Sequence, residues 1–361
     1  MAEGPAHRHG GEPLADFRRL GIRPRPVIDF SVNVNPLGPP PAIRRAWGAW
    51  VADLGRYPSP AGEGVKRFYQ ERFGLTSDCV LPGNGSLELL YLVPRALGLQ
   101  SAAVAAPSFY DYGRAIRVNR GRVLEFPSLD ETDADWEERV VRLLPQVQAL
   151  FIGNPNNPTG RLIHSDRLLG LAARFPDKWF LVDEAFIQFV ERPADHSLLQ
   201  RERLRRNILV FHSLTKFYAL AGLRLGAVVG HPETLARLRA GREPWSVSLP
   251  AERAAALLPA CLDYEEQTRR LIRRERGTTA AFLRSLPGLE ALAPTANFVL
   301  ARWRAAADLD DLLRFLLERG LYVRDARNFS GLSGNWFRFA LLGSEENRQL
   351  RQALSELGEG C

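Results

Sequence analysis

Lysine is nearly missing from this chain. Of 48 basic residues only Lys66, Lys178 and Lys216 are lysines; the rest are arginines. Arg can stand in for Lys wherever only charge matters. It cannot where an amine must lose its proton and attack a carbonyl, because guanidinium stays protonated. A lysine that survives in such a chain is therefore a candidate nucleophile. Cysteine is also scarce. Cys79, Cys261 and Cys361 are odd in number and lack metal-ligand spacing, which fits a reduced compartment best. No apolar run approaches the roughly eighteen residues of a membrane helix. The N-terminus has no apolar leader core. These absences predict a soluble cytoplasmic protein that needs neither a metal nor a membrane.

What is present fits a globular enzyme. The chain has 361 residues, 45% hydrophobic and 25% charged, enough to bury a sizeable core and to divide into domains. Net charge is +7. Such a balance suits nucleic acid or small anionic substrates. The clusters Arg269-Arg270 and Arg273-Arg274 fall in a helical stretch and read as a solvated face. No nucleic-acid motif accompanies them, so a small anionic partner is expected.

Residues 1–40 read as an irregular arm. From Gly62 onward helical and strand signals alternate. Short apolar runs at Ala102–Ala106, Ala149–Ile152, Trp179–Val182, Ile208–Phe211 and Leu225–Val229 predict parallel βαβ units. Beyond Pro244-Trp245-Ser246 the pattern changes. It predicts a long helix over 251–285, a strand at 296–301, a helix at 308–319, and strands near 321–324 and 336–341. The expected division is an arm over 1–40, a large domain over 41–248 and a small domain over 249–361.

Polar residues gather just after the apolar runs, where open α/β sheets bind ligands. Lys216 lies in Phe211-His212-Ser213-Leu214-Thr215-Lys216-Phe217, behind two hydroxyl residues. That is where a lysine condensing with the aldehyde of pyridoxal 5'-phosphate (PLP) would sit. Asp183 ends an apolar run, and a carboxylate buried there needs a partner such as a protonated pyridine nitrogen. A helix cap or an Arg salt bridge would also serve it. Gly83-Asn84-Gly85-Ser86 precedes a helix and could cradle a phosphate or simply cap that helix. Asn154-Pro155-Asn156-Asn157-Pro158-Thr159-Gly160 is either a tight turn or a donor to the phenolic oxygen of PLP. Arg224 could grip a phosphate bidentately.

These segments, in this order, resemble the fold-type I PLP enzymes of the aspartate aminotransferase superfamily over nearly the whole chain. The resemblance implies an α/β fold, with a mostly parallel seven-stranded sheet and a smaller α+β C-terminal domain. It implies Lys216 as the cofactor lysine, Asp183 on the ring nitrogen and Asn157 on the phenolic oxygen. Gly85, Ser86, Ser213, Thr215 and Arg224 would hold the cofactor phosphate, and Phe109 would stack on the ring. Tyr57 would reach the phosphate in a neighbouring subunit, which implies a homodimer with shared sites. Arg338 would take the substrate carboxylate. Within the superfamily, His9-Gly10-Gly11 and Phe30-Ser31-Val32-Asn33-Val34-Asn35-Pro36-Leu37-Gly38 are similar to threonine-phosphate decarboxylases of cobalamin biosynthesis. Histidinol-phosphate aminotransferases are next. Aminotransferases usually place a Tyr where this chain has Phe186, a departure that favours decarboxylation. By the same resemblance His9 and Arg324 would meet a substrate phosphate, and Asn33 would approach the substrate.

Overall fold

The computed structural model describes residues 9–129, 131–304 and 308–359; Cys361 lies outside them. Among the described residues thirteen strands fall into three sheets. The largest contains β2 (Val80–Asn84), β3 (Ser101–Ala106), β4 (Arg122–Pro127), β5 (Ala149–Gly153), β6 (Trp179–Asp183), β7 (Ile208–Ser213) and β8 (Leu225–Gly230), in the order β2-β8-β7-β6-β5-β3-β4. This is the seven-stranded α/β sheet that the resemblance implied.

Strands β4, β3, β5, β6 and β7 are mutually parallel. The run Leu225–Val229, expected to extend the parallel set, instead forms β8, antiparallel to both neighbours. The chain re-enters the sheet after a short loop, with no crossover helix to reverse its direction. Two strands of this sheet lacked a recognisable signal. Edge strand β2 contains Pro82 and Gly83, strand breakers tolerated at an edge, and edge strand β4 is largely solvent-facing.

Both faces of the central strands are covered, as parallel sheets require. Phe180 and Val182 pack into one core and Leu181 into the other; Val210 and Phe211 divide the same way. Full burial explains the unbroken apolar runs. It also forces the polar chemistry to the strand ends, where Gly153 pairs with Asp183 and Asp183 with Phe211, two residues before Ser213.

The smaller C-terminal unit is built on β9 (Leu289–Ala291), β10 (Phe298–Trp303), β12 (Arg324–Asp325) and β13 (Trp336–Ala340), in the order β12-β13-β10-β9. The expected helix over 251–285 is two helices, Leu249–Leu257 and Leu262–Ser285. Pro259 lies in the single turn between them, where its ring and missing N–H disfavour a continuous α-helix. The arm proves to be attached. Its β1 (Ile28–Asp29) pairs in parallel with β11 (Leu321–Tyr322). Phe30 N then donates to Tyr322 O and Ala340 N to Phe30 O, each at 2.8 Å. Arg19 Nη1 donates to both carboxylate oxygens of Asp310 at 2.8 Å. No described helix is long and apolar enough to cross a membrane.

Candidate active site

The ends of β6 and β7, the start of the helix Gly85–Leu97 and the β12–β13 pair enclose one cavity of about 320 Å³. Every site residue expected from the sequence lines it except Tyr57.

Asp183 is buried at its floor. Its Oδ2 accepts from Tyr112 OH at 2.8 Å and its Oδ1 from Ala185 N at 3.0 Å. Burial pushes its carboxyl up to about 6, against the pull of those two hydrogen bonds and of Lys216. Lys216 is half-buried on the loop after β7. Its carbonyl accepts from Asn35 N at 3.0 Å, which fixes the lysine's backbone against the segment that follows β1. Burial, then the nearby Arg224 and Arg338, push its amine down to about 8, and Asp183 opposes the shift. A lowered value leaves more of the amine neutral, the form that attacks a carbonyl.

Beside the lysine is a set of anion donors. Gly85 opens its helix at φ +75°, and a Cβ there would lie 2.9 Å from Arg224 Nη2. A Cβ on Gly226 would lie 2.6 Å from Ser86 N, so glycine lets the helix start approach β8. Ser213 Oγ and Thr215 Oγ1 are 2.7 Å apart. Arg224 sits at φ 52°, a left-handed conformation uncommon for a residue with a side chain. Two hydroxyls, a helix N-terminus and a guanidinium converge here, the donor set of a phosphate monoester. The same cavity holds a neutralisable amine, Lys216, and a carboxylate, Asp183. The residues therefore fit PLP, with the phosphate cradle, the aldehyde-reactive amine and the ring-nitrogen partner all on one wall.

The opposite wall is cationic. Arg338 donates from Nη1 to Asn157 Oδ1 and from Nη2 to Ser31 O at 2.7 Å. Its Nε is buried with no partner among the described residues. Burial and the neighbouring Arg324 push its guanidinium down to about 9, and Asp29 opposes this. Arg324 donates from Nη2 to Asn328 Oδ1 at 2.8 Å and lies over the Phe329 ring at 5.5 Å. Asn33 presents a buried Oδ1 with no partner among the described residues.

The asparagines of the 154–160 run divide by role. Asn154 pins the backbone at Ile163 and His196, and Asn156 holds Pro107 O and Thr159. Only Asn157 lines the cavity. With its Oδ1 taken by Arg338, its Nδ2 remains as a donor.

His9 reaches the cavity because of the two glycines after it. A Cβ on Gly10 would lie 2.3 Å from Ser31 O, and Gly11 N donates to Ser31 Oγ at 2.7 Å. His9 Nε2 is 3.9 Å from Asp111 Oδ2, and its ring is 6.1 Å from that of Phe109. Phe186 packs edge-on against Phe298 at 5.0 Å. Tyr57 is 82% exposed, with its ring 5.3 Å from Trp245, outside the cavity.

Sequence reasoning missed Tyr112, Ser31 and Phe329 as lining residues. Tyr112 had a readable signal: it lies one helical turn beyond Phe109.

The family model for class I and II aminotransferases matches residues 25–355. The chain belongs to this family. It is therefore a fold-type I PLP enzyme. A threonine-phosphate decarboxylase from Salmonella typhimurium is 32% identical over 360 residues, covering 98% of this chain and 97% of that protein. Histidinol-phosphate aminotransferase 2 from Ralstonia nicotianae is 32% identical over 352 residues, covering 95% and 92%. The crystal structure of a histidinol-phosphate aminotransferase from Sinorhizobium meliloti in complex with pyridoxal-5'-phosphate has a TM-score of 0.82 at 22% identity, covering 96% of this chain and 95% of that one. That last likeness is one of fold. Both decarboxylases and aminotransferases thus occur among the family members similar to this chain.

Proposed function

We propose that this enzyme decarboxylates L-threonine O-3-phosphate to (R)-1-amino-2-propanol O-2-phosphate, the aminopropanol unit of cobalamin, using PLP carried by Lys216. The observation that carries the proposal is the cavity's charge. Asp183 is the one acidic residue lining it among the described residues, against Lys216, Arg224, Arg324 and Arg338. One anion, the cofactor phosphate, leaves much of that positive charge unmatched. A substrate with both a carboxylate and a phosphate would supply the remainder.

Bound PLP would supply an electron sink for the charge left at Cα. Gly85, Ser86, Ser213, Thr215 and Arg224 would hold its phosphate, Phe109 its ring face, Asn157 its phenolic oxygen and Asp183 its ring nitrogen. Arg338 would bind the substrate carboxylate; His9 and Arg324 would bind the substrate phosphate, with Asn33 alongside. Fixing both ends of the substrate sets which Cα bond stands perpendicular to the ring, and that bond is the one weakened. Remote binding energy is thereby spent on orientation. Lys216 Nζ would deliver the proton that replaces the lost carboxylate. Phe186 brings no hydroxyl near the phenolic oxygen, unlike the usual aminotransferase tyrosine, and this favours decarboxylation.

In this reading 41–248 holds the cofactor, 249–361 together with His9 holds the substrate's anionic groups, and the arm 1–40 closes over both. The enzyme works as a homodimer. Trp47, Val51, Leu54, Tyr57 and Trp245 are all exposed, and a second copy of the chain would cover them and receive Tyr57 at its cofactor phosphate.

The test is purified, PLP-loaded protein with threonine phosphate. Release of carbon dioxide with aminopropanol phosphate is expected. Absence of both would overturn the proposal. Conversion of the cofactor to its amine form by an amino donor alone would point instead to histidinol-phosphate transamination.

A further inference from the structure

Tyr112 touches both faces of the problem the cofactor poses. It belongs to the helix Tyr110–Val118, whose N-cap is Phe109. The Phe109 and Tyr112 rings meet edge to face at 5.5 Å, and the Tyr112 ring stacks on Phe151 at 5.4 Å with 6° between planes. So held, the phenol has little freedom, and its hydroxyl donates to Asp183 Oδ2 at 2.8 Å. Room for that hydroxyl comes from Gly153, the last residue of β5. A Cβ at Gly153 would lie 3.0 Å from the Tyr112 oxygen. Three separate features, a stacked ring, a glycine and a buried hydrogen bond, therefore serve one contact.

The groups around Asp183 are few. Lys216 faces it from the loop after β7, and Ala185 N donates to its other oxygen. Glu184, next in sequence, turns away to Ser197 Oγ at 2.6 Å and Leu198 N at 2.7 Å. Burial favours the protonated carboxyl, which could not pair with a protonated ring nitrogen. A donor to the carboxylate is what offsets burial.

We infer that Tyr112 is a positioning residue that keeps Asp183 ionised and aimed at the ring nitrogen of PLP. The inference rests on the proposal that PLP is seated between Lys216 and Asp183. It concerns retention and electronics of the cofactor, not substrate choice.

The test compares wild type with Tyr112→Phe, following cofactor release by equilibrium dialysis and visible absorption across pH. The variant should bind PLP about tenfold more weakly at pH 7, as expected for a lost hydrogen bond to a charged group. The acid limb of retention should move up by about one pH unit. Wild-type protein made with 3-fluorotyrosine, a stronger donor, should move that limb down. This arm decides the matter if Tyr112→Phe does not fold. A role in packing alone would lower the melting temperature and leave the limb in place, and that result would overturn the inference. Wild type that retains no PLP would sink the underlying cofactor assignment; wild type that retains it with an unmoved limb sinks only the role of Tyr112.

Discussion

Arg324 on β12 and Arg338 on β13 stand directly opposite each other across an antiparallel pair, each 6% exposed. Like charges in this register destabilise a sheet, and burial adds a desolvation cost. The hydrogen-bond acceptors seen on Arg338 are neutral oxygens. Asp29 offsets part of the charge on Arg338, and an anion bound between the two guanidinium groups would offset more. Arg338→Met should leave the empty protein as stable as wild type, or up to about 2 kcal/mol more stable. The KM for the phosphorylated amino acid should rise at least a hundredfold. Thermal melts and steady-state kinetics check both.

The lysine makes a prediction about pH. Its amine is pushed down to about 8, so below that pH it is mostly protonated and unreactive. The rate of PLP capture by the cofactor-free protein should fall about tenfold per pH unit below this point and level off above it. Stopped-flow absorption during reconstitution reads this directly. Lys216→Ala should hold PLP only by non-covalent contacts and lose turnover.

Asp183 should oppose folding while it enables chemistry. Its folded value of about 6 lies above the unfolded carboxylate value of 3.8. The folded state therefore holds its proton more tightly, and stability falls as pH rises between those values. Above about pH 6 the full cost, on the order of 3 kcal/mol, is present. Asp183→Asn should raise the melting temperature of the empty protein at pH 7.5 and change it little at pH 3.5. Turnover should drop by orders of magnitude.

The arm is tested at Gly10. An alanine Cβ there would lie 2.3 Å from Ser31 O, so the turn that delivers His9 to the cavity cannot form unchanged. Gly10→Ala should raise the KM for a phosphorylated substrate about tenfold or more, the scale of one lost charged hydrogen bond. PLP affinity should stay unchanged. An equal loss of both would contradict the separate roles given to the two walls.

The pair proposed for catalysis, Lys216 and Asp183, stood out in the chain because the proposed chemistry tolerates no substitute. An amine at 216 cannot become arginine, and a carboxylate ending a fully buried strand needs a partner. The central strands were legible for a related reason: burial on both faces leaves an unbroken apolar run. What stayed hidden were the edges and the reversals. Pro82 and Gly83 mask β2, and nothing local to Leu225–Gly230 records that it runs against its neighbours. Nor does local sequence reveal that β12 and β13 set two arginines face to face, or that Gly153 clears space for the hydroxyl of Tyr112. Residue type by itself determined which groups could react, since that depends on intrinsic acidity. Only the tertiary structure decided which of them meet, because strand register and the clearance around each side chain arise from segments far apart in the chain.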